Sequence, residues 1–260
     1  MKGSAMPYVS VAGERIFYAQ RREKQERCLL FLHGAGGTHR LWAHQLQNLK
    51  GVRTCALDLP GHGRSSGQGR TSIGDYRDLV LAFLDALGLE RVILVGHSMG
   101  GAIAQSFALT HPHRLEGLVL VGTGARLRVL PAILDGLRQD VAGTVKLIVS
   151  YAYAPGAPPD LVEQGRTDFL ANSPDVLHGD FVACDRFDVM GRLGEIALPT
   201  LVICGSEDRL TPPKYAAYLR DHIPNAQLVL VEGAGHMVMV ERPEEVTRAI
   251  RGFLDTSMMA

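Results

Sequence analysis

Two serines in this chain of 260 residues lie in the pentapeptide pattern Gly-x-Ser-x-Gly, which is typical of a nucleophilic serine at a sharp turn. Ser98 lies within GHSMGG at 96–101, and Ser65 lies within GRSSG at 63–67. A serine hydroxyl is a weak nucleophile at neutral pH, so either serine needs a general base that a third group holds in position. The surroundings of each serine therefore decide which of the two could perform chemistry.

The two serines differ in their secondary-structure context. Ser98 directly follows a predicted strand and precedes a helical pattern, so the sequence predicts a strand-to-helix turn there. Gly96 and Gly100 suit such a turn, because larger side chains would collide with the neighbouring strand and helix. Ser65 lies in a long glycine-rich loop, and no helix begins at the next residue. This context favours Ser98 as the nucleophile.

The base and its partner are expected in loops that follow later strands. The segment Gly205-Ser206-Glu207-Asp208-Arg209 follows one apolar run, and Glu232-Gly233-Ala234-Gly235-His236 follows the next. The order serine, acid, histidine is therefore available as Ser98, Asp208 and His236. His97 adjoins the nucleophile and is expected to point elsewhere, and His33 is interpreted as a structural residue that forms hydrogen bonds.

The oxyanion that forms when serine attacks a carbonyl group needs fixed donors, which are usually backbone N–H groups. Met99 follows the serine at a predicted helix N-terminus and can supply one. The glycine-rich loop 33–37 can supply the other, since glycines let the backbone approach a substrate closely. The nucleotide-binding pattern G-x-G-x-x-G is not completed there, because His39 occupies its sixth position.

The elements that must position these residues follow an alternating pattern. Short runs rich in Leu, Val and Ile predict strands that are buried on both faces, and helical patterns separate them. The predicted strands are 28–32, 52–57, 92–95, 118–121, 201–204 and 228–231, after an antiparallel hairpin of 8–11 and 15–19; the predicted helices are 41–49, 72–87, 99–109, 214–222 and 244–254. Such alternation predicts a mostly parallel sheet with helices on both faces.

One region interrupts this alternation. Residues 125–193 contain no convincing parallel strand, but they contain helical patterns at 130–151 and 161–170. An insertion of this kind is expected to form a helical cap above one end of the sheet. The sequence therefore predicts a single domain over 1–260, with 125–193 as the inserted cap.

Bulk composition excludes several other classes. The 27 basic and 27 acidic residues cancel, so neither a nucleic acid nor an anionic membrane is an expected partner. The four cysteines form no C-x-x-C pair, and they are expected to be reduced and mostly buried. Neither a secretory h-region near the start nor a membrane-length apolar stretch occurs in the sequence, so a cytoplasmic protein is expected.

With these residues in place, the chain resembles the α/β-hydrolase superfamily from about residue 8 to residue 254. Five motifs in family order carry the resemblance: LHGAGG at 32–37, DLPGHGRS at 58–65, GHSMGG at 96–101, PTLVICGSEDRLTP at 199–212 and GAGHMVMVERP at 233–243. The resemblance implies that Ser65 lies in a loop that does not supply the nucleophile. It also implies that Asp208 rather than Glu207 is the acid, and that Ala35 is the second oxyanion donor.

The nucleophile and its neighbour distinguish branches of this superfamily. Haloalkane dehalogenases and epoxide hydrolases of this fold carry aspartate at the position of Ser98. Meta-cleavage carbon–carbon hydrolases usually carry asparagine at the position of His97, which disfavours that assignment. The resemblance is strongest to small bacterial carboxylesterases and to cofactor-free perhydrolase-like enzymes.

The resulting prediction is an α/β-hydrolase that cleaves carboxylic esters through an acyl-enzyme. Ser98, Asp208 and His236 form its predicted catalytic triad, and the amides of Ala35 and Met99 form its predicted oxyanion hole. No metal or organic cofactor is expected, and the expected partner is a small neutral or apolar ester.

Other functions stay open at this point. Thioester, lactone or carbon–carbon bond hydrolysis, or perhydrolysis, could use the same residues. A small-molecule receptor that retains the hydrolase residues is the alternative from a different class. A nucleotide-binding oxidoreductase is the least favoured, because neither G-x-G-x-x-G nor the phosphate-binding pattern that ends in G-K-[ST] is completed.

Overall fold

Eight strands form one sheet in the computed structural model, which describes residues 7–21 and 27–256. The strands are β1 (Tyr8–Val11), β2 (Glu14–Arg21), β3 (Cys28–Leu32), β4 (Arg53–Leu57), β5 (Val92–His97), β6 (Leu115–Val121), β7 (Thr200–Gly205) and β8 (Ala226–Val231). Every residue of β3, β5 and β7 is buried, as the continuous apolar runs predict. The predicted strands are therefore confirmed, with ends that move by a few residues.

The strands follow the order β1-β2-β4-β3-β5-β6-β7-β8 across the sheet. The pairs β1–β2 and β2–β4 are antiparallel, and the remaining pairs are parallel. The predicted hairpin at the start and the predicted mostly parallel sheet are both confirmed. In this order β5 lies in the middle of the sheet, so the loop that follows it lies between the loops that follow its neighbours.

Helices cover both faces of the sheet. They are α1 (Ala43–Asn48), α2 (Ile73–Ala86), α3 (Met99–Thr110), α4 (Pro131–Gln139), α5 (Val141–Ala152), α6 (Pro159–Leu170), α7 (Pro174–Asp185), α8 (Pro213–His222), α9 (Val238–Glu241) and α10 (Pro243–Thr256). Buried side chains of α2, α3 and α8 form one core with the sheet, and those of α1, α9 and α10 form a second core on the other face. Because helices cover both faces, a site is expected at the carboxyl ends of the parallel strands.

Helices α4 to α7, which we call the cap helices, lie between β6 and β7. The sequence predicts a helical insertion here, and its boundaries at 125 and 193 stay a prediction. The single helical pattern at 130–151 is divided at Asp140, whose carboxylate accepts a hydrogen bond from the Gly143 amide and so begins a new helix. Helix α7 was not predicted, although Ser173 caps it and Pro174 occupies its first position.

Two expectations from composition can be compared with the described residues. Within 7–21 and 27–256, no helix combines the length and the apolar character needed to cross a bilayer. Cys28, Cys55, Cys184 and Cys204 are all buried free thiols. Residues 1–6, on which the expectation about a leader segment partly rests, lie outside the described part of the chain.

Candidate active site

Ser98 lies in the turn between β5 and α3, as the sequence predicts. Its backbone has φ 51° and ψ −113°, in a region that non-glycine residues rarely adopt. The surrounding chain holds this strained residue, because the Ser98 amide donates to the carbonyl of Val121 at 2.9 Å. The hydroxyl of Thr123 in turn donates to the Ser98 carbonyl at 2.8 Å. The turn is therefore fixed by the loop after β6.

The glycines around Ser98 allow the close approach of strand and helix. A Cβ atom on Gly96 would collide with the backbone of Gly100 and Gly101. A Cβ atom on Gly100 would lie 2.5 Å from the carbonyl oxygen of Leu32. The first turn of α3 therefore packs directly against the end of β3, which brings Ser98 next to the loop that follows β3.

The acid and the histidine meet at the carboxyl ends of two neighbouring strands, β7 and β8. The Nδ1 atom of His236, after β8, lies 2.9 Å from Oδ2 of Asp208, after β7. Both residues are buried. Burial alone would raise the pKa of Asp208, but the His236 ring and hydrogen bonds from His236 and Thr211 lower it below the usual value. Asp208 is therefore a carboxylate at neutral pH.

The hydrogen bonds of Asp208 determine the tautomer of His236. Oδ2 of Asp208 accepts from the Thr211 hydroxyl at 2.8 Å, and Oδ1 accepts from the Leu210 and Thr211 amides. A carboxylate can only accept, so Nδ1 of His236 carries the proton and donates to Asp208. Nε2 is then left with a lone pair, which is the state that a general base requires.

Ser98 and His236 line one cavity of about 790 Å³. In the described chain the Ser98 hydroxyl makes no hydrogen bond to the imidazole. The hydrogen bond between a catalytic serine and its histidine often forms only when a substrate is bound, so its absence here is compatible with a catalytic pair. The structure therefore brings Ser98, His236 and Asp208 to one place.

The two alternatives raised by the sequence have other surroundings. The Ser65 hydroxyl donates to the Asp58 carbonyl at 2.6 Å and accepts from the Phe17 amide at 2.9 Å, and Ser65 does not line the cavity. Glu207 is exposed, whereas its neighbour Asp208 is only 3% exposed. Ser65 is therefore a structural residue of its loop, and Glu207 does not face the histidine.

The predicted oxyanion donors lie on either side of Ser98. Met99 is the first residue of α3, and Ala35 lies in the loop after β3 and lines the cavity. A Cβ atom on Gly34 would come within 3.1 Å of the Ser98 Cβ atom, so this loop lies against the nucleophile. Among the described residues, neither the Ala35 amide nor the Met99 amide donates to another group of the chain. Both amides are therefore available to a ligand.

His97 lies directly beside His236, with their ring centres 4.6 Å apart. Its Nε2 atom lies 3.1 Å from the His236 carbonyl oxygen and donates to it. Burial, with the neighbouring His236 ring, lowers the pKa of His97 well below its ordinary value. His97 is therefore neutral, and it holds the loop of His236 without repelling a protonated imidazole.

The rest of the cavity wall is mostly apolar and comes largely from the cap helices. Ile133, Leu147, Ile148 and Phe169 contribute aliphatic and aromatic surface. Three arginines also line the cavity, Arg40, Arg128 and Arg209. Such a cavity can enclose an apolar group next to Ser98 while charged side chains lie at its exposed parts.

Thr211 is a site residue that the sequence motifs did not single out. It lies three residues after Asp208, and its hydroxyl lies 3.1 Å from Nδ1 of His236 as well as 2.8 Å from Asp208. A hydroxyl group three residues after a buried aspartate is a common turn-stabilising arrangement, which is the only signal in the sequence. Its contact with the histidine depends on a loop 25 residues away.

A protein-family model matches most of this chain. The sequence model described as alpha/beta hydrolase fold matches residues 28–243, which include all five predicted site residues. Among curated proteins, the chain is 30% identical over 251 residues to a 2-hydroxy-6-oxo-6-phenylhexa-2,4-dienoate hydrolase of Comamonas testosteroni, and 87% of each chain is covered.

The solved structures that resemble this chain include enzymes with other named substrates. A thermophilic esterase has 39% identity and a TM-score of 0.86, with 96% of this chain and 97% of that chain covered. An N-acyl homoserine lactone degrading enzyme has 29% identity and a TM-score of 0.84, with 95% and 100% covered. The relatives therefore include hydrolases that differ in the bond they break.

Proposed function

Because this chain belongs to the α/β-hydrolase family, we propose that it hydrolyses carboxylic esters through an acyl-enzyme on Ser98. The observation that carries the proposal is the buried pair of Asp208 and His236, which opens onto the same cavity as a strained serine. The esterase likeness at 39% identity supports the same substrate class.

The first step transfers a proton from Ser98 to His236. Oγ of Ser98 attacks the ester carbonyl carbon while Nε2 of His236, which carries the free lone pair, accepts the hydroxyl proton. Asp208 stabilises the positive charge that develops on the ring, since its Oδ2 atom is 2.9 Å from Nδ1. The proton then passes from Nε2 to the leaving alcohol, and an acyl-enzyme remains.

The oxyanion of the tetrahedral intermediate is stabilised by backbone amides. Ala35 and Met99 offer free N–H groups on the two sides of Ser98, and the N-terminus of α3 adds its favourable dipole. Water then attacks the acyl carbon while His236 accepts its proton. Ser98 is regenerated, and the carboxylic acid leaves.

The cavity supports an ester with an apolar acyl or alcohol group. Its volume of about 790 Å³ is large for a short acetate ester. Most of its wall is aliphatic or aromatic, so burial of an alkyl or aryl group there is favourable. We therefore expect medium-length or aryl esters to be better substrates than acetates.

Carbon–carbon bond hydrolysis is the second candidate. The curated relative from Comamonas testosteroni, at 30% identity, favours it. The sequence carries His97 directly before Ser98, where such hydrolases usually have asparagine. The lactone-degrading relative similarly favours lactones as alternative substrates of the same residues.

A substrate panel with a matched variant tests the proposal. We expect wild-type protein to hydrolyse p-nitrophenyl butyrate and hexanoate faster than thioester, lactone and dienoate substrates. Ser98→Ala should lower kcat on the esters by several orders of magnitude, whereas Ser65→Ala should leave it nearly unchanged.

Three outcomes would contradict the proposal. Faster turnover of a 2-hydroxy-6-oxodienoate than of every ester would support carbon–carbon hydrolysis instead. Tight binding of a small molecule with turnover no faster than background would support a receptor that retains the hydrolase residues. A fluorophosphonate that labels the peptide containing Ser65 rather than Ser98 would refute the assignment of the nucleophile.

A further inference from the structure

Asp180 of cap helix α7 lies at the centre of a buried polar cluster outside the catalytic triad. Its side chain is fully buried. Oδ2 accepts from the Gly36 amide at 2.9 Å and from Nε2 of His62 at 2.8 Å, and Oδ1 accepts from the Tyr76 hydroxyl at 2.5 Å. Every one of these donors belongs to the chain outside the cap helices. Asp180 is therefore the point at which α7 attaches to three separate segments.

The partners of His62 determine the charge in this cluster. Nδ1 of His62 lies 3.0 Å from the Pro60 carbonyl oxygen, and Nε2 lies 2.8 Å from Asp180. Both partners can only accept, so both ring nitrogens carry protons and His62 is an imidazolium. Burial alone would lower the pKa of His62, but the Asp180 carboxylate outweighs it and raises the pKa. A buried ion pair thus joins the cap to the loop after β4.

Gly36 is held by the cap helices from both sides. Asn172, at the end of α6, donates to the Gly36 carbonyl at 2.8 Å, while Asp180 accepts from the Gly36 amide. Gly36 has φ +64°, and a Cβ atom there would meet Leu177 and Phe169 within 2.9 Å. Any larger residue here would strain the backbone and would have to displace the side chains of Leu177 and Phe169.

Ala35 lies between two peptide groups that are both held by hydrogen bonds. The Gly36 amide belongs to the peptide group that follows Ala35, and Asp180 fixes this group. The Gly34 carbonyl belongs to the peptide group that precedes Ala35, and it accepts from Nδ1 of His33 at 2.8 Å. Because a trans peptide group is planar, the Ala35 N–H points away from the Gly34 carbonyl, which also accepts from the Gly37 amide at 3.0 Å. Asp180 holds the peptide group on the other side of Ala35 and so limits rotation of the backbone about the Ala35 Cα atom.

We propose that Asp180 is a positioning residue, which holds the Ala35 amide in the oxyanion hole through Gly36 and thereby makes that hole dependent on a seated cap. This inference rests on the proposed function for the role of Ala35. The cap helices then do more than enclose a substrate. When the cap leaves its place, Gly36 loses its contacts to Asn172 and Asp180, and the Ala35 amide is then held only from the Gly34 side.

The first test measures transition-state binding separately from ground-state binding. We expect Asp180→Ala to lower kcat on p-nitrophenyl butyrate by about 10-fold to 100-fold, with KM changed by less than about threefold. The affinity for butylboronic acid, which forms a tetrahedral adduct with serine, should fall by at least about tenfold. The affinity for neutral butyramide should stay within about twofold.

Asp185→Ala is the matched control. Asp185 lies on the same helix and also accepts a backbone amide, that of Val129 at 3.0 Å, but it does not contact the loop after β3. This variant should keep kcat and boronate affinity within about threefold of wild type. Equal losses in both variants would overturn the proposal, since a general weakening of the cap would then explain them.

The second test does not depend on activity. Hydrogen exchange of the Gly36 amide should be much faster in Asp180→Ala than in wild type, and it should be unchanged in Asp185→Ala. If Asp180→Ala does not fold, Asn172→Ala removes the other contact to Gly36 and should give the same pattern more weakly. Unchanged hydrogen exchange at Gly36 in a folded Asp180→Ala variant would refute the positioning role of Asp180. Faster exchange at Gly36 in a protein that has no esterase activity would refute only the proposed function.

Discussion

Two adjacent carboxylates after β7 have opposite surroundings. Asp208 is buried and contacts His236, whereas Glu207 is exposed. A carboxylate that stabilises a developing imidazolium must be close to the ring and away from water, so only Asp208 of these two can do this. The difference between neighbours provides a matched pair of variants.

Asp208→Asn should lower kcat on the substrate ester on the order of 10⁴-fold, because an amide at this place no longer requires the proton on Nδ1 of His236. Glu207→Gln should change kcat by less than about twofold, since its side chain does not contact the site. Steady-state kinetics of both variants with p-nitrophenyl butyrate measures this. A severe loss in Glu207→Gln with a mild loss in Asp208→Asn would move the acid by one residue.

Local patterns placed Ser98, His236 and the adjacent Glu207 and Asp208 after recognisable strands, whereas the choice of Asp208 over Glu207 came from the resemblance to the α/β-hydrolase superfamily. Thr211 and Asp180 were not predicted as site residues. Each contacts groups far away in the sequence, and Asp180 lies 144 residues from Gly36. Asp180 is one of three aspartates on α7 and carries no local sign of such a partner, so only the folded arrangement could identify it.

At the scale of elements, the contact between α3 and the end of β3 depends on the absence of a side chain. Gly100 lies against the end of β3, with no room for a Cβ atom. Gly252, in the middle of α10, is exposed and has no atom within 4 Å of an added Cβ. The same substitution should therefore have opposite effects on stability in these two helices.

Gly100→Ala should lower the free energy of unfolding by about 1–3 kcal/mol, since the new methyl group would be 2.5 Å from the Leu32 carbonyl oxygen. Gly252→Ala should raise it by about 0.5–1 kcal/mol, because alanine favours the helical state. Equilibrium unfolding in urea measures both values. Equal changes in the two variants would mean that the packing of α3 against β3 does not limit stability.

The elements that were missed also have physical reasons. The division of 130–151 into α4 and α5 depends on Asp140, whose carboxylate caps α5 although the apolar pattern continues across it. Helix α7 begins with a serine cap and a proline, but its amphipathic pattern is weak because both Gly179 and Asp180 are buried. A local cap hydrogen bond accounts for the first case, and burial of polar and small residues of α7 accounts for the second.

At the scale of the whole molecule, buried histidines make stability depend on pH. His33 donates from Nδ1 to the Gly34 carbonyl and accepts at Nε2 from the Leu59 amide, so it is neutral in the folded protein. Burial and the neighbouring His62 lower the pKa of His33 from 6.5 to about 4. The unfolded chain therefore binds a proton at a higher pH than the folded one does.

The free energy of unfolding should fall on acidification between pH 6.5 and pH 4, with a contribution from His33 of roughly 3 kcal/mol. His97 acts in the same direction, whereas the raised pKa of His62 stabilises the acidic form and opposes it. Urea unfolding at several pH values should therefore show a shallower pH dependence in His33→Gln than in wild type. An unchanged slope would mean that His33 is protonated in the folded protein.

The attachment of Asp180 to residues outside the cap restricts how this protein can be recombined with its relatives. A chimaera that exchanges only 125–193 would bring a new helix against a protonated His62, the Tyr76 hydroxyl and the Gly36 amide. If that helix lacked a carboxylate at the position of Asp180, the donors would be buried without acceptors. Transfer of substrate specificity between relatives would therefore require exchange of the cap together with the three residues that bind Asp180, which are Gly36, His62 and Tyr76.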